Sequence, residues 1–361
     1  MTKSSKEVSE IVGLDLGDRF SQFCVVSRQG EVMERGRVAT TATAMKKQFE
    51  RMARARIALE AGTHSPWVSR LLEELGHEVL VANPRKLRMI YDSDSKNDRA
   101  DAETLARVAR MDAKLLGAIR HRKEQTQVDL AVVRSRDALI KARTQLINHV
   151  RGVMKSVGSR LPKSSTPSFH KKATAGGIPE QLQSALAPIL ETLEKISEQI
   201  KNYDRQIEQL SREKYPETEL LTQVSGIGNL TALTYVLTLE DPNRFGRSRA
   251  VGSFLGLRPR QGDSGKQEPQ LRITKAGDPL LRRLLVNSAQ YLLGHFGTDC
   301  ALRRWGLELA KRGGKNAKKR AAVAVARKLA VLLHRLWSRG EVYDPFYQSQ
   351  SQAAVPVLPL N

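Results

Sequence analysis

Cysteine is nearly absent: Cys24 and Cys300 stand far apart in a chain of 361 residues. Neither belongs to a paired or metal-type spacing, which excludes a disulfide framework and fits a reducing compartment. Both are expected as small core residues. The seven histidines form no cluster with them, so nothing in the sequence selects zinc. Long apolar runs are missing too. None approaches the ~20 residues of a membrane span, and the polar opening Thr2 to Glu7 has no signal-peptide core. The expectation is a soluble cytoplasmic protein with no membrane partner. Negative charge is also short, with 38 Asp and Glu against 60 Lys and Arg for a net +22. That excess is far above what solubility requires and points to a polyanionic partner.

What is present begins with Ile11-Val12-Gly13-Leu14-Asp15-Leu16-Gly17-Asp18, an apolar run into an acid. Asp15 therefore reads as a carboxylate held by a buried strand. Phe20 to Val26 supplies a second strand, Gln29-Gly30 a hairpin turn and Glu31 to Val38 a third strand, which makes a three-strand meander. Thr43 to Arg54 reads as a helix, and Arg56 to Glu60 as a strand ending in a second carboxylate. A helix over Pro66 to Leu75 and a strand over His77 to Val81 follow. Asp98-Arg99-Ala100-Asp101 then opens a helix through Leu105, Val108 and Ala109, with two more acids on one face.

Hard divalent cations take oxygen ligands brought together by rigid elements. If the strands are adjacent, Asp15, Glu60, Asp98 and Asp101 supply such a set for Mg2+ or Mn2+. Two such ions about 3.5 to 4 Å apart clamp the attacking and leaving oxygens of a phosphoryl displacement. Each acid alone reads as structural, Asp98 as an N-terminal helix acid; four in this order argue for the metal. Asp18, Asp92, Asp94 and Glu103 are the rivals, Asp18 foremost because it lies just past the strand.

From Val128 onward, Val132, Ser135, Leu139, Ala142, Leu146, His149 and Val153 alternate steps of four and three, the spacing of a coiled-coil seam. A cleaner seam runs through Leu182, Leu186, Ile189, Leu193, Ile196, Ile200, Tyr203, Ile207 and Leu210, with Pro188 expected to delay regular helix until Ala187. Gly158 to Pro179 reads as the loop between them. The result is an antiparallel arm, which either packs on its own chain or pairs with a second one. Gly226-Ile227-Gly228 between apolar helices has the pattern of a helix-hairpin-helix, whose bare amides receive a DNA phosphate, or of a tight turn that needs glycine. Ser264 sits in the basic, glycine-bounded loop Arg260-Gln261-Gly262-Asp263-Ser264-Gly265-Lys266. Small neighbours let a phosphate approach such a serine, although Ser-Gly is also a common loop dipeptide. Lys275, Arg282 and Arg283 follow as phosphate clamps or surface cations. Residues 303–339 carry twelve cations, among them Lys315, Lys318, Lys319 and Arg320, against the single acid Glu308, which is half of the net charge. Their apolar spacing makes this a folded helix.

The strand order and acidic positions resemble the ribonuclease H superfamily in the DEDD arrangement of RuvC-like Holliday-junction resolvases. Joined to the helical arm, the Gly226-Ile227-Gly228 turn, and Leu257-Arg258-Pro259 through Ser264-Gly265 to Thr274-Lys275-Ala276-Gly277, the chain from about residue 10 to 340 resembles the Piv/MooV-type DEDD insertion-sequence transposases, the bridge-RNA-guided recombinases. Asn97 stands where that family often has Thr.

The resemblance implies an α/β plus α chain. Residues 8–120 would form a RuvC-like domain, 121–214 a coiled-coil arm, 215–345 a mainly helical serine-transposase domain, and 346–361 a disordered tail. It implies metal ligands at Asp15, Glu60, Asp98 and Asp101 and a serine nucleophile at Ser264. It also implies target and donor DNA and a structured bridge RNA as partners, a homo-oligomer from dimer to tetramer, and action at the nucleoid. Sequence specificity would lie in the RNA, which suits a chain with 5% aromatics. The runner-up is a metal-dependent Holliday-junction-type endonuclease in which Ser264 is irrelevant. An actin-like ATPase would need a second Asp-x-Gly loop, and an architectural protein would gain only electrostatic cost from the acids.

Overall fold

A computed structural model describes residues 10–87, 98–260, 271–314 and 316–347, apart from the side chains of Asp98 and Arg99. The expected tail from Gln348 onward lies outside the described residues. The chain divides into two units, residues 1–123 and 124–361.

In the first unit, strands β1 (Glu10–Asp15), β2 (Phe20–Ser27) and β3 (Val32–Ala39) form the meander, and β4 (Arg56–Glu60) and β5 (Glu78–Ala82) extend it. The order is β3-β2-β1-β4-β5. The first three strands are antiparallel, whereas β4 runs parallel to β1 and β5 parallel to β4. Side chains alternate between faces with the period of two that a pleated strand imposes. Val12, Leu14, Phe23, Ile57 and Leu59 enter one core with Met45 and Phe49 of helix α1 (Ala42–Phe49) and Val68 and Leu72 of helix α2 (Ser65–Glu74). Ile11, Cys24, Val26 and Ala58 face the other way, onto Leu87 of the short α3 (Pro84–Leu87) and Ala102, Leu105, Ala106 and Ala109 of α4 (Asp98–Met111). This mixed sheet with helices on both faces is consistent with a ribonuclease H-like DEDD domain.

Helix α1 stops at Phe49, short of the expected Arg54. Buried His77 explains the stop. Its Nε2 donates to Phe49 O at 3.0 Å and its Nδ1 accepts from Ala55 N at 3.2 Å, so one imidazole ties the end of α1 to the start of β4.

The second unit starts with two long helices, α5 (Glu124–Ser156) and α7 (Glu180–Glu213), separated by α6 (Phe169–Ala175). They pair antiparallel: Arg136 bonds Asp204 at 2.6 Å, while Ile147 and Val150 meet Leu190 and Leu193. The α7 seam lies where its sequence spacing places it, with Leu186, Leu193, Ile200 and Ile207 buried. The α5 seam is met only in part. Val132, Leu146 and Val153 are half-buried against the core, but the buried apolar residues are Leu130, Val133, Ile147, Val150 and Met154, whereas Val128 is 55% exposed and Ser135 and His149 face solvent. Both four-three alternations fit this helix, and packing on α7 selects the one with the larger aliphatic side chains. The two seams meet within one chain, which buries Leu186, Leu193, Ile200 and Ile207 and leaves Leu182, Ile189, Ile196, Tyr203 and Leu210 half-buried.

Two further expectations change. α7 begins at Glu180 rather than near Ala187 and carries Pro188 internally. Ser184, whose carbonyl has no helical donor at position 188, is exposed to water. The expected loop between the seams contains α6, because Phe169 and Ala173 are one turn apart and both enter the arm core.

The remaining helices are α8 (Thr218–Thr222), α9 (Asn229–Leu239), α10 (Arg249–Phe254), α11 (Pro279–Leu293), α12 (Ala301–Lys311) and α13 (Ala317–Arg339). α9 is buried on all sides from Thr231 to Leu239 and is the axis of this bundle. Tyr235, Leu281, Leu285, Val325 and Leu329 share its core. On another side Leu233 and Leu237 meet Leu130, Val133 and Ile207, so the arm base and the C-terminal helices form one body.

The packing predicts which register matters. Ile200→Ala should lower stability by about 2 to 5 kcal/mol as a buried truncation, and Val128→Ala by no more than about 0.5 kcal/mol. Chemical denaturation of the full chain reads both; equal destabilisation would refute the α5 register.

Candidate functional site

β1 and β4 are parallel neighbours paired Leu14 to Leu59, so Asp15 and Glu60 are the next residues at the same edge of the sheet. Adjacent strands lie about 4.8 Å apart. α4 reaches this edge by a close approach. A Cβ on Gly13 would stand 1.8 Å from Ala102 O and 2.6 Å from Ala106 N, so only glycine lets the helix lie on β1. Its direction is set at the far end, where Arg107 and Arg110 donate to Gly30 O at 3.3 Å and Arg28 O at 3.2 Å. Those carbonyls belong to the hairpin beside Glu10, since Glu10 pairs with Ser27. The N-terminal turn of α4, with Asp98 and Asp101, therefore lies toward Asp15.

The electrostatics link Glu60 and Asp101. Burial, and then the negative charge of Asp101, push the Glu60 carboxyl above its ordinary value. Like charges gathered in this way form a donor set of the kind a hard divalent cation relieves. Asp15 ends the strand beside Glu60, and the charge of Asp101 is felt at the Glu60 carboxyl. Among the described residues no three acidic, histidine or cysteine groups close into a metal shell; the Asp98 side chain lies outside them.

The rivals go elsewhere. The Asp18 side chain is 94% exposed and pairs with His64 at 3.5 Å. Glu103 is held by Arg35 at 2.6 Å and Arg107 at 2.7 Å, which lower its carboxyl below the usual range. Asp92 and Asp94 lie outside the described residues.

Behind Glu60 stands a support that the sequence reading missed. Buried Ser65 donates to Gly62 O at 2.8 Å, accepts from Gly62 N at 2.9 Å and meets His121 Nε2 at 2.9 Å. This fixes the turn two residues after Glu60. Ser65 directly before Pro66 was the signal, a hydroxyl at a proline-led helix start. On the Asp15 side, Thr40 Oγ1 donates to Gly17 O at 2.9 Å and holds the turn after β1.

In the second unit Ser264 lies outside the described residues, but both ends of its segment are fixed. Pro259 bridges Ile273, with Arg260 N donating to Arg272 O at 3.0 Å and Thr274 N to Arg258 O at 2.9 Å. Beneath the bridge two chain segments cross at glycine. A Cβ on Gly256 would meet Ala276 N at 2.1 Å, one on Gly277 would meet Phe254 O at 2.1 Å, and their φ angles are +67° and +69°. Arg282 Nη1 clamps this crossing by donating to Leu255 O at 3.0 Å and Ala276 O at 2.6 Å. We therefore assign Arg282 to the fold rather than to a phosphate. Arg283 pairs with Asp137 of the arm, while Lys275 is exposed beside the crossing. The Gly226-Ile227-Gly228 turn connects α8 to α9, with Ile227 buried and Gly228 exposed at the start of α9. Lys318, Lys319 and Arg320 are exposed on the first turn of α13, and Lys315 lies outside the described residues.

A family model of the DEDD IS110 type, described as a transposase, matches residues 12–158. A second, described as the transposase IS116/IS110/IS902 family, matches residues 218–303. A putative transposase y4pF/y4sB of Sinorhizobium fredii is 31% identical over 314 residues, covering 86% of this chain and 79% of that one. The chain belongs to the IS110 family of transposases. The transposase for insertion sequence element IS1111A of Coxiella burnetii is 28% identical, covering 94% of this chain and 93% of its own. That for element IS1328 of Yersinia enterocolitica is 25% identical, with 92% and 98% covered.

This transposase thus carries its four acids inside the first family match and Ser264 inside the second. Residues 304–347, including α13, lie beyond both. The acidic edge makes a prediction that needs no DNA. A group whose folded pKa is raised contributes stability at low pH that is lost as pH rises through the raised value, so ionised Glu60 opposes folding near neutral pH. In chelator, Glu60→Gln should melt at or above the wild-type temperature at pH 7. Millimolar Mg2+ or Mn2+ should raise the wild-type Tm and leave the variant unmoved. Equal shifts in both proteins would remove Glu60 from the site.

Proposed function

We propose that this transposase cuts and rejoins DNA at a two-part site in which Asp15, Glu60, Asp98 and Asp101 hold Mg2+ or Mn2+ and Ser264 is the nucleophile. What supports the reading is that Asp15 and Glu60 end adjacent parallel strands and that the Glu60 carboxyl is pushed above its ordinary value by burial and then by the charge of Asp101. Such an ion, when bound, stabilises charge on a transferring phosphoryl group. The carboxylates are acceptor-only groups that fix its position, and rigid strands and the glycine contact under α4 keep them from relaxing apart.

A serine hydroxyl is a weak nucleophile near neutral pH and needs a neighbouring activator. In the proposed step Ser264 Oγ forms a bond to a DNA phosphorus as the P–O bond of the strand breaks, and the leaving oxygen takes a proton. The phosphoserine link keeps the bond energy, so a later attack by a DNA hydroxyl rejoins the strand and frees the serine. The two fixed ends of residues 261–270, at Pro259 and Ile273, support this role by anchoring the nucleophile's segment to a packed crossing. The exposed amide end of α9 at Gly228 and the cations Lys275, Lys315, Lys318, Lys319 and Arg320 would meet the DNA backbone. A bridge RNA pairing with target and donor DNA would supply the sequence choice. Assembly from dimer to tetramer would use surfaces other than the arm seam.

The test is a suicide DNA substrate incubated with the full chain in Mg2+. A covalent adduct mapped to Ser264, absent in Ser264→Ala and in Asp15→Asn, is the expected result. Cleavage without an adduct would instead favour a metal-dependent junction endonuclease. Neutralising Lys318 and Lys319 should flatten the log-log salt dependence of duplex binding by about 0.9 for each phosphate that those lysines neutralise.

A further inference from the structure

The second unit contains a groove of about 1090 Å3 whose lining includes Lys275, Lys319 and Arg320 of the proposed DNA contacts. It is walled by α13, by the start of α12, by the strand pair around Pro259 and Ile273, and by residues 343–347. Its volume exceeds the roughly 300 to 1,000 Å3 of ordinary small-molecule pockets. Apolar side chains line it, among them Leu257, Ile273, Leu302, Val323 and Leu332. In a chain with 5% aromatics it also gathers Trp305, Tyr343 and Tyr347.

Its charge is one-sided. Eight Arg and Lys side chains line the groove against one acid, Asp344. Arg335 is paired with Glu341 at 3.0 Å. Among the described residues Arg249, Arg272, Lys319 and Arg327 have no carboxylate partner. Lys328 Nζ stands 3.8 Å from the Trp305 ring centroid, and Arg335 lies 4.1 Å from that of Tyr347. Burial lowers the Lys328 ammonium below the usual lysine range.

We infer that this groove holds an unpaired DNA strand, with bases against the apolar and aromatic wall and phosphates against the arginines and lysines. A duplex hides its bases and would leave the aromatic wall empty, whereas a single strand offers both a π-face and a phosphate at every step. The location gives it a purpose. The groove's own wall includes Pro259, Arg272 and Ile273, which flank the stretch that contains Ser264 in the sequence, so a strand lying there passes those flanking residues. The inference rests on the reading of the protein as a DNA strand-transfer enzyme and adds which form of DNA the second unit grips.

The experiment measures fluorescence anisotropy of the full chain in chelator, where no strand is cut, with a labelled twelve-nucleotide oligo-dT, the matching oligo-U and a duplex. Trp305→Leu is expected to weaken oligo-dT binding about tenfold, one stacked base being worth that order, and to leave duplex affinity unchanged. The exposed pair Arg249→Ala with Arg272→Ala should also weaken oligo-dT, and guards against misfolding of the Trp305 variant. An equal weakening on duplex, oligo-dT affinity unchanged in both proteins, or oligo-U bound tightly while oligo-dT fails to compete would each overturn the proposal. Because binding is read without cleavage, failure here leaves the covalent-serine reading standing. A missing serine adduct would likewise leave the groove intact.

Discussion

The close approach of α4 to β1 at Gly13 is the constraint on which the first unit depends. A strand can present Asp15 and a parallel neighbour can present Glu60, but acids on a helix reach that edge only if the helix lies against the sheet. With Ala102 O where a Cβ would be, no other residue at position 13 permits it. The helix is held at its other end by Arg107 and Arg110 on the hairpin carbonyls. Small side chains, Ala102, Ala106 and Ala109, keep the layer thin along the way. The Glu60 carboxyl is pushed above its ordinary value by burial and then by the charge of Asp101, and this rigid frame holds it there.

The second unit solves a similar problem with backbone crossings. Gly256 and Gly277 let two segments pass at a distance no side chain allows, and Arg282 binds a carbonyl from each. The cation-lined groove opens beside this crossing, against Leu257, Pro259, Ile273 and Lys275. Below, the wholly buried α9 joins the crossing to the arm base. The arm is then a rigid extension of the body that carries the serine, with its apolar seam closed internally. The arm also buries a cation: Arg143 lies beside Ser197, and burial and the neighbouring Arg136 depress its guanidinium while Asp204 partly offsets the effect.

Much of the first unit was legible in the sequence because its signals are local. Period-two alternation located the strands, and β4 ends at Glu60 as its apolar run does. The apolar runs into Asp15 and Glu60 were enough to expect those two acids on neighbouring strand ends, as the parallel pairing of β1 and β4 gives them. What could not be read was tertiary. The α5 sequence supports two seams one helical step apart, and only the partner helix chooses between them. Arg282 and Arg283 look like phosphate clamps in a basic segment, yet their guanidinium groups meet a chain crossing and Asp137. The groove gathers residues spread from Arg249 to Tyr347, and no spacing rule links such distant positions.

If the sheet edge at Asp15 and Glu60 and the first turn of α4 form one cation site, crystals of the full chain soaked in Mn2+ will locate it by anomalous scattering. The expected peak lies within coordination distance of carboxylate oxygens from Asp15, Glu60 and Asp101, and disappears in Asp101→Asn. A peak held by other residues, or none at this edge with Mn2+ bound elsewhere, would contradict the shared site.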